Sequence, residues 1–337
     1  MIRIALLGFG GIAQAAHMPA YRLLEQQGKI KLVAACDVDP TRFTGDMEIN
    51  IGASDDKLGA DVKRYTDWKE MVENEQIDMV DICVPTFLHA ELAIEMLGRG
   101  YHVLSEKPMS LHYADCVRMC EAAKAADRRL MIGQCLRFGN EYNFLKDAVE
   151  NNTYGKPLSG TFRRLSGPPI WGWDNWFMDE KRSGGAILDL HIHDVDVIRY
   201  LFGEPTAISC DTQDVYSGKD IAHSRLYYPD FSMLAIGDWS QQGLPFTADY
   251  RVAFEKAIVD YSAGNLTVYP REGEPYTPED WQPNNFYTAE IEYFIDLLEN
   301  GGDNTQNPPE SAALSVKLIR ALGACADAGG NKAPYAI

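Results

Sequence analysis

Six residues near the start of the chain, Gly8-Phe9-Gly10-Gly11-Ile12-Ala13, have the types and spacing to cradle a pyrophosphate. Gly8 allows a tight turn, and Gly10 lets the main chain approach phosphate oxygens. Ala13 is small enough for a new helix to lie against the preceding strand, with that helix's free N–H groups facing the anion. Asp37 stands where a carboxylate accepts both hydroxyls of an adenosine ribose and repels the extra phosphate of NADP. The glycine pattern by itself equally describes an ordinary strand-to-helix turn, so the neighbouring elements decide between the two readings.

Those elements come in the required order. Ile2, Ile4, Ala5, Leu6 and Leu7 read as a strand buried on both faces, 15–27 as a helix stopped by Gly28, and 29–36 as a second strand ending at Asp37. Together they make a dinucleotide-binding β-α-β unit. NAD is favoured over NADP because Val38 offers no cation, although Arg42 is close in sequence. The alternation continues through a helical stretch from Asp39, helices at 67–74, 88–99 and 111–126, and strands at 78–84, 101–105 and 129–133. It implies a doubly wound parallel sheet with ligand groups at the carboxyl ends of its strands, here Gly8, Asp37, Pro85, Thr86, Glu106 and Lys107.

From Leu158 the pattern changes. Strands at 158–165, 207–216, 224–228, 231–241, 249–254, 257–261 and 266–269, joined by short turns, suit a mainly antiparallel sheet. A helix at 190–202 falls between the first two, and helices at 288–299 and 311–326 follow the sheet. The expected fold class is α/β. It comprises a Rossmann domain over 1–133, an α+β substrate and oligomerisation domain with a large open antiparallel sheet over 134–285, and helices over 286–337 packing back on the body. The sheet face left uncovered suggests a homodimer or homotetramer.

With 337 residues, 46% of them hydrophobic and 24% charged, the chain is long enough for two ordinary globular domains. A formal net charge of −18 sets the summed field against nucleic acid and anionic membranes and favours a small-molecule partner. No apolar run approaches membrane-spanning length and no leader pattern precedes the first strand, so a cytoplasmic protein is expected. The seven cysteines are read as buried thiols in a reducing compartment; Cys116 and Cys120, four apart, lack further metal ligands nearby.

Three more stretches carry chemical side chains: PTFLHAELAIEMLGRGYHVLSEKP at 85–108, GQCLRF at 133–138 and SGGAILDLHIHDVDVIRYLFG at 183–203. With the opening turn they resemble the glucose-fructose oxidoreductase, inositol dehydrogenase and MocA family along nearly the whole chain. The most specific signs are Glu106-Lys107-Pro108 and the run formed by Gly184, Gly185, Asp189, His193 and Asp196. The resemblance implies a catalytic group of Lys107, Asp189 and His193, with Gly8, Phe9, Gly10, Gly11, Ile12, Ala13, Asp37, Pro85, Thr86, His89 and Glu106 near NAD. Arg137, Asp196 and Trp176 are the expected substrate contacts. Cys135 stands where many relatives have asparagine, Gly139 lies near their proline, and Ala186 replaces the third glycine of their G-G-G.

The chemistry agrees with that assignment. Asp189 and His193, four apart, share one face of a helix, so the carboxylate can hold a substrate hydroxyl while the ring takes its proton. Lys107 adds positive charge for an alkoxide that forms as hydride leaves its carbon. Taken singly, Asp189 is equally a helix N-cap, Lys107 a solvated end-of-strand residue and His193 a core histidine. The three tryptophans of WGWDNWF suit either a sugar ring or packing. His191 and His193 point about 200° apart on a helix, so no metal is expected there. The resulting expectation is an NAD-dependent dehydrogenase for a secondary hydroxyl of a sugar, sugar derivative or inositol. A glycosidase using transient oxidation with retained NAD and a non-catalytic nucleotide sensor are the rival readings.

Overall fold

A computed structural model describes residues 1–44 and 58–337, together with the backbone of the short strands Met47–Ile49 and Gly52–Ser54. It divides into two compact units, Met1–Cys135 with Pro169–Phe177 and Tyr287–Ala313, and Leu136–Pro168 with Met178–Phe286 and Leu314–Ile337. The units interleave along the chain, so the last 52 or so residues are shared between both rather than forming a separate helical piece. Among the described residues no helix is long and apolar enough to cross a membrane.

The first unit runs β1 (Ile2–Leu7), α1 (Met18–Gln26), β2 (Ile30–Cys36), β3 (Met47–Ile49), β4 (Gly52–Ser54), β5 (Lys63–Tyr65), α2 (Trp68–Asn74), β6 (Met79–Ile82), α3 (His89–Gly98), β7 (His102–Ser105), α4 (Tyr113–Ala126) and β8 (Leu130–Ile132). The stretch expected to be helical from Asp39 is a single 3-10 turn, Pro40–Phe43; beyond Thr44 that expectation passes into 45–57, which lies largely outside the described residues. A six-stranded sheet in the order β5-β2-β1-β6-β7-β8 has every pair parallel. β1 lies between β2 and β6, and its Ile4, Ala5 and Leu6 are fully buried, as in a parallel sheet covered on both faces. The strand order reverses between β1 and β6, and a crevice for a ligand opens at the carboxyl ends of strands that part in this way.

The second unit contains α5 (Asn140–Glu150), β9 (Pro157–Leu165), α6 (Glu180–Ser183), α7 (Gly185–Asp189), α8 (Ile192–Phe202), β10 (Ala207–Gln213), β11 (Ile221–Tyr227), β12 (Ser232–Asp238), β13 (Thr247–Phe254), β14 (Ala257–Ser262) and β15 (Asn265–Pro270). α9 (Phe286–Asn300), α10 (Pro309–Asp327) and the two-residue β16 (Ala333–Pro334) follow. The eight-stranded sheet has the order β15-β14-β13-β9-β12-β11-β10-β16, antiparallel except between β9 and β12. Burial alternates along β11, with Ala222, Ser224 and Leu226 inward beneath α7 and His223 and Arg225 outward. The outer face mixes ion pairs with exposed apolar side chains: Arg163 donates to both Asp249 oxygens at 2.8 and 2.6 Å and Arg251 to Asp260 at 2.6 Å, beside Ile258 and Tyr269.

Candidate functional site

The glycine turn sits at the carboxyl end of β1, on the crevice side of the sheet. Gly8 has φ +93°, and a Cβ there would lie 2.6 Å from the Cys83 carbonyl oxygen just beyond β6. The glycine is thus required twice, by its left-handed backbone and by the close passage of a second chain segment. Gly8→Ala should lower folding stability by on the order of 2–4 kcal/mol, read as a lower denaturant midpoint at unchanged slope. A substitution that leaves the midpoint in place would show that the two segments separate freely. Gly10 differs: a Cβ there would meet nothing within 4 Å, so its main chain is open to an approaching group. The buried Gln14 donates its amide to the carbonyls of Phe9 at 3.0 Å and Arg42 at 3.2 Å, fixing the turn from behind.

Asp37 ends β2. Its Oδ2 accepts the Phe9 N–H at 2.7 Å and its Oδ1 accepts the Asp39 N–H at 2.9 Å, one bond to each oxygen. Burial raises its pKa from the ordinary carboxylate value, and the two backbone N–H groups and Arg42 oppose that rise. A carboxylate so oriented keeps lone pairs for a diol. Val38 beside it is 69% exposed and offers no charge, while Arg42 lies 3.5 Å from Asp39.

At the carboxyl end of β6, Thr86 is buried and its hydroxyl has no hydrogen-bond partner among the described residues. A buried hydroxyl with no partner among the described residues is suited to pair with a polar ligand group in the crevice. His89, expected near the cofactor, has both ring nitrogens at carbonyl oxygens, Nδ1 2.8 Å from that of Pro108 and Nε2 2.8 Å from that of Val84. Burial lowers its pKa, with the two carbonyls pulling the other way. A neutral ring donates to one of these carbonyls and lies beside the other, so its polar atoms are engaged between two loops and are not turned outward. Lys107 is half-buried at the carboxyl end of β7, between the buried Glu106 and Pro108.

In the second unit the expected helix 190–202 is α8, starting two residues later, and a separate short helix, α7, precedes it. α7 ends at Asp189 and α8 begins at Ile192, with the His191 N–H reaching back to the Ala186 carbonyl at 2.9 Å. Asp189 thus closes one helix rather than capping the next. The Gly184-Gly185 pair has its own reason: both have positive φ, and a Cβ on Gly185 would lie 2.4 Å from the Gly218 carbonyl oxygen. Asp189 is 8% exposed and His193 half-buried. His191 is fully buried, donating or accepting at Ser224 Oγ (2.8 Å), and burial lowers its pKa to about 3. Of the two histidines it is the structural one.

Three expected substrate contacts are engaged in contacts within the protein. Arg137 and Asp196, each 1% exposed, form a two-pronged ion pair at 2.8 and 2.7 Å, with Ser315 donating to the same carboxylate at 2.5 Å. Two buried charges facing each other so squarely hold α8 in place. Arg164 grips Asp194 likewise at 3.0 and 3.3 Å. Trp176 is 9% exposed and stacked on Phe177 with ring centroids 3.9 Å apart, whereas Trp173, at 42%, is the exposed indole of that segment. Of the two readings left open for these tryptophans, Trp176 shows the packing one. The structure also reveals polar groups the sequence reading passed over, the buried His17, Tyr21 and Asp81 near Glu106.

The orphaned Thr86 hydroxyl, the open side of Gly10 and the aligned Asp37 carboxylate fit a dinucleotide on the first unit. Residues 2–134 match a family model described as an oxidoreductase family with an NAD-binding Rossmann fold, and residues 142–260 match the GFO/IDH/MocA C-terminal domain. The chain belongs to the glucose-fructose oxidoreductase, inositol dehydrogenase and MocA family. It is 37% identical over 206 residues to the myo-inositol 2-dehydrogenase of Thermotoga maritima, a match covering 60% of this chain and 55% of that protein. With the inositol dehydrogenases it matches, the chain aligns over about half of their length. A 29% match over 278 residues to the 1,5-anhydro-D-fructose reductase of Ensifer adhaerens covers 77% of this chain and 81% of that protein. Among solved structures, the aldose-aldose oxidoreductase of Caulobacter crescentus complexed with glycerol has a TM-score of 0.83 at 22% identity, covering 99% of each chain. The WlbA dehydrogenase of Bordetella pertussis in complex with NADH and UDP-GlcNAcA has a TM-score of 0.82 at 20% identity, covering 100% of this chain and 99% of that one. At those identities the two structures show a shared fold.

Proposed function

We propose that the protein is an NAD-dependent dehydrogenase oxidising a secondary hydroxyl of a sugar, sugar derivative or inositol. The observation that carries the proposal is the glycine turn with Asp37 aligned beside it, in a chain of an oxidoreductase family that has Lys107, Asp189 and His193. NAD, when bound, supplies the hydride acceptor. His193 takes the hydroxyl proton, Asp189 orients ring and hydroxyl, and Lys107 stabilises negative charge developing on the oxygen. Screening cyclitols, aldoses and sugar acids for NADH formation tests this. NADH accumulating in proportion to ketone supports the reading, and product without NADH, or no turnover across the panel, counts against it.

Asp37 sets cofactor choice in this reading. NAD should bind more tightly than NADP, and Asp37→Ala should narrow the preference by on the order of tenfold, about 1.4 kcal/mol, by removing repulsion. Calorimetric titration giving equal or tighter NADP binding to the unaltered protein would contradict it. The exposed outer face of the eight-stranded sheet, with Ile258 and Tyr269 on it, supports self-association as a homodimer or homotetramer, and sedimentation at monomer mass would contradict that part.

A further inference from the structure

We propose that His17 is a positioning residue for Lys107: buried between two carboxylates, it fixes the Glu106 side chain and with it the main chain that presents the Lys107 amine. Lys107 matters to turnover only under the dehydrogenase reading, on which this proposal rests, but its placement is measurable separately.

The local sequence delivers the ring. Residues Ala13–His17 form a π-helical turn, with the Met18 N–H bonded to the Ala13 carbonyl. Pro19 follows directly and has no N–H with which to continue the ordinary ladder back to Ala15. The turn sets His17 inward at 1% exposure, where Nδ1 lies 2.6 Å from Asp81 Oδ2 and Nε2 lies 3.0 Å from Glu106 Oε1. An acid on each side calls for an N–H on each nitrogen, hence an imidazolium. Burial by itself lowers the pKa of this ring, but the charge of Asp81, the nearby Cys83 and the hydrogen bond to Asp81 outweigh it and hold the pKa well above the usual histidine value.

The cluster is closed on every side. Tyr21 on α1 donates its hydroxyl to Asp81 Oδ2 at 2.6 Å, Cys83 Sγ lies 3.6 Å from His17 Nδ1, and the Tyr287 ring from α9 lies 6.5 Å away. Glu290, also on α9, adds its charge at Tyr21. His17, Asp81 and Cys83 have the types of a metal ligand set, but a 2.6 Å contact is a hydrogen bond. Two ligands of one tetrahedral ion would stand about 3.3 Å apart.

From Glu106 the constraint passes to Lys107 by bonds on both sides. Glu106 Oε2 accepts the Lys107 backbone N–H at 3.1 Å, and Gly133 leaves room for the carboxylate, since a Cβ there would lie 3.2 Å from Oε1. The Glu106 N–H is bonded to the Ile82 carbonyl at 2.9 Å. On the far side His89 holds the Pro108 carbonyl at 2.8 Å. Lys107 therefore stands between Glu106, bonded to His17, and Pro108, whose carbonyl lies beside His89 Nδ1.

The test uses the full-length protein with lysines reductively methylated with a carbon-13 label, the Lys107 resonance being assigned by its loss in Lys107→Arg. In His17→Gln that resonance should move, kcat should fall by about 10–100-fold, and the NAD dissociation constant should change far less. Glu106→Gln should show the same pattern, and combining the two should lower kcat little beyond the worse single variant, because both act through one contact. Glu106→Gln carries the test alone if His17→Gln does not fold. A Lys107 resonance and kcat that stay put in a folded variant would overturn the proposal, as would losses that multiply in the double variant. A resonance that moves in these variants, with a wild-type protein that never forms NADH, would sink the dehydrogenase reading and leave the placement standing.

Discussion

His193→Gln should reduce the rate of alcohol oxidation by about 10²–10⁴-fold while NAD affinity stays within about threefold. His193 lies in the first turn of α8, and the glycine turn and Asp37 belong to the other unit. α8 itself is anchored by two buried ion pairs, Arg164 with Asp194 and Arg137 with Asp196. Replacing a half-buried ring at its start leaves those anchors in place, so the loss is one of proton acceptance and not of folding. Thermal melting and NAD titration beside steady-state kinetics check this. Near-normal turnover in a folded variant would remove His193 as the base.

Lys107→Met should lower kcat/KM by roughly 10²–10³-fold, the scale of losing one preorganised charge aimed at a developing oxyanion. Lys107 is half-buried at the end of β7, so an unbranched apolar side chain of similar length fits without opening a cavity. Lys107→Arg keeps the charge in a wider, planar fork and should recover part of the loss. The comparison separates charge from shape. If methionine and arginine variants were equally active, within about twofold of the wild type, electrostatic stabilisation by this residue would be ruled out.

Much of the first unit was legible because a strand buried on both faces is a short run of branched apolar residues, and β1, β2, β6 and β7 are written that way. Asp37 was legible from spacing alone. The break between α7 and α8 was not: Leu190 and His191 keep right-handed helical dihedrals, so the apolar period runs on while only the hydrogen-bond register slips. The pairing of Arg137 with Asp196 was not legible, because no local pattern announces a partner 59 positions away. His17 did leave a signal, together with Asp81, a lone acid in the apolar β6, where a charge must find a buried partner. The exchange of 169–177 and 287–313 into the first unit was not read, since the tryptophan-rich 171–177 reads as well as a loop within the second domain.

The central claim, direct oxidation of a carbinol carbon with NAD as the acceptor, is tested by offering the best substrate of the panel deuterated at the reacting carbon and weighing the reduced cofactor. The account requires one deuteron in each NADH, formed in step with ketone. Product formed with no labelled NADH released, as an oxidation reversed within one turnover would give, would contradict it.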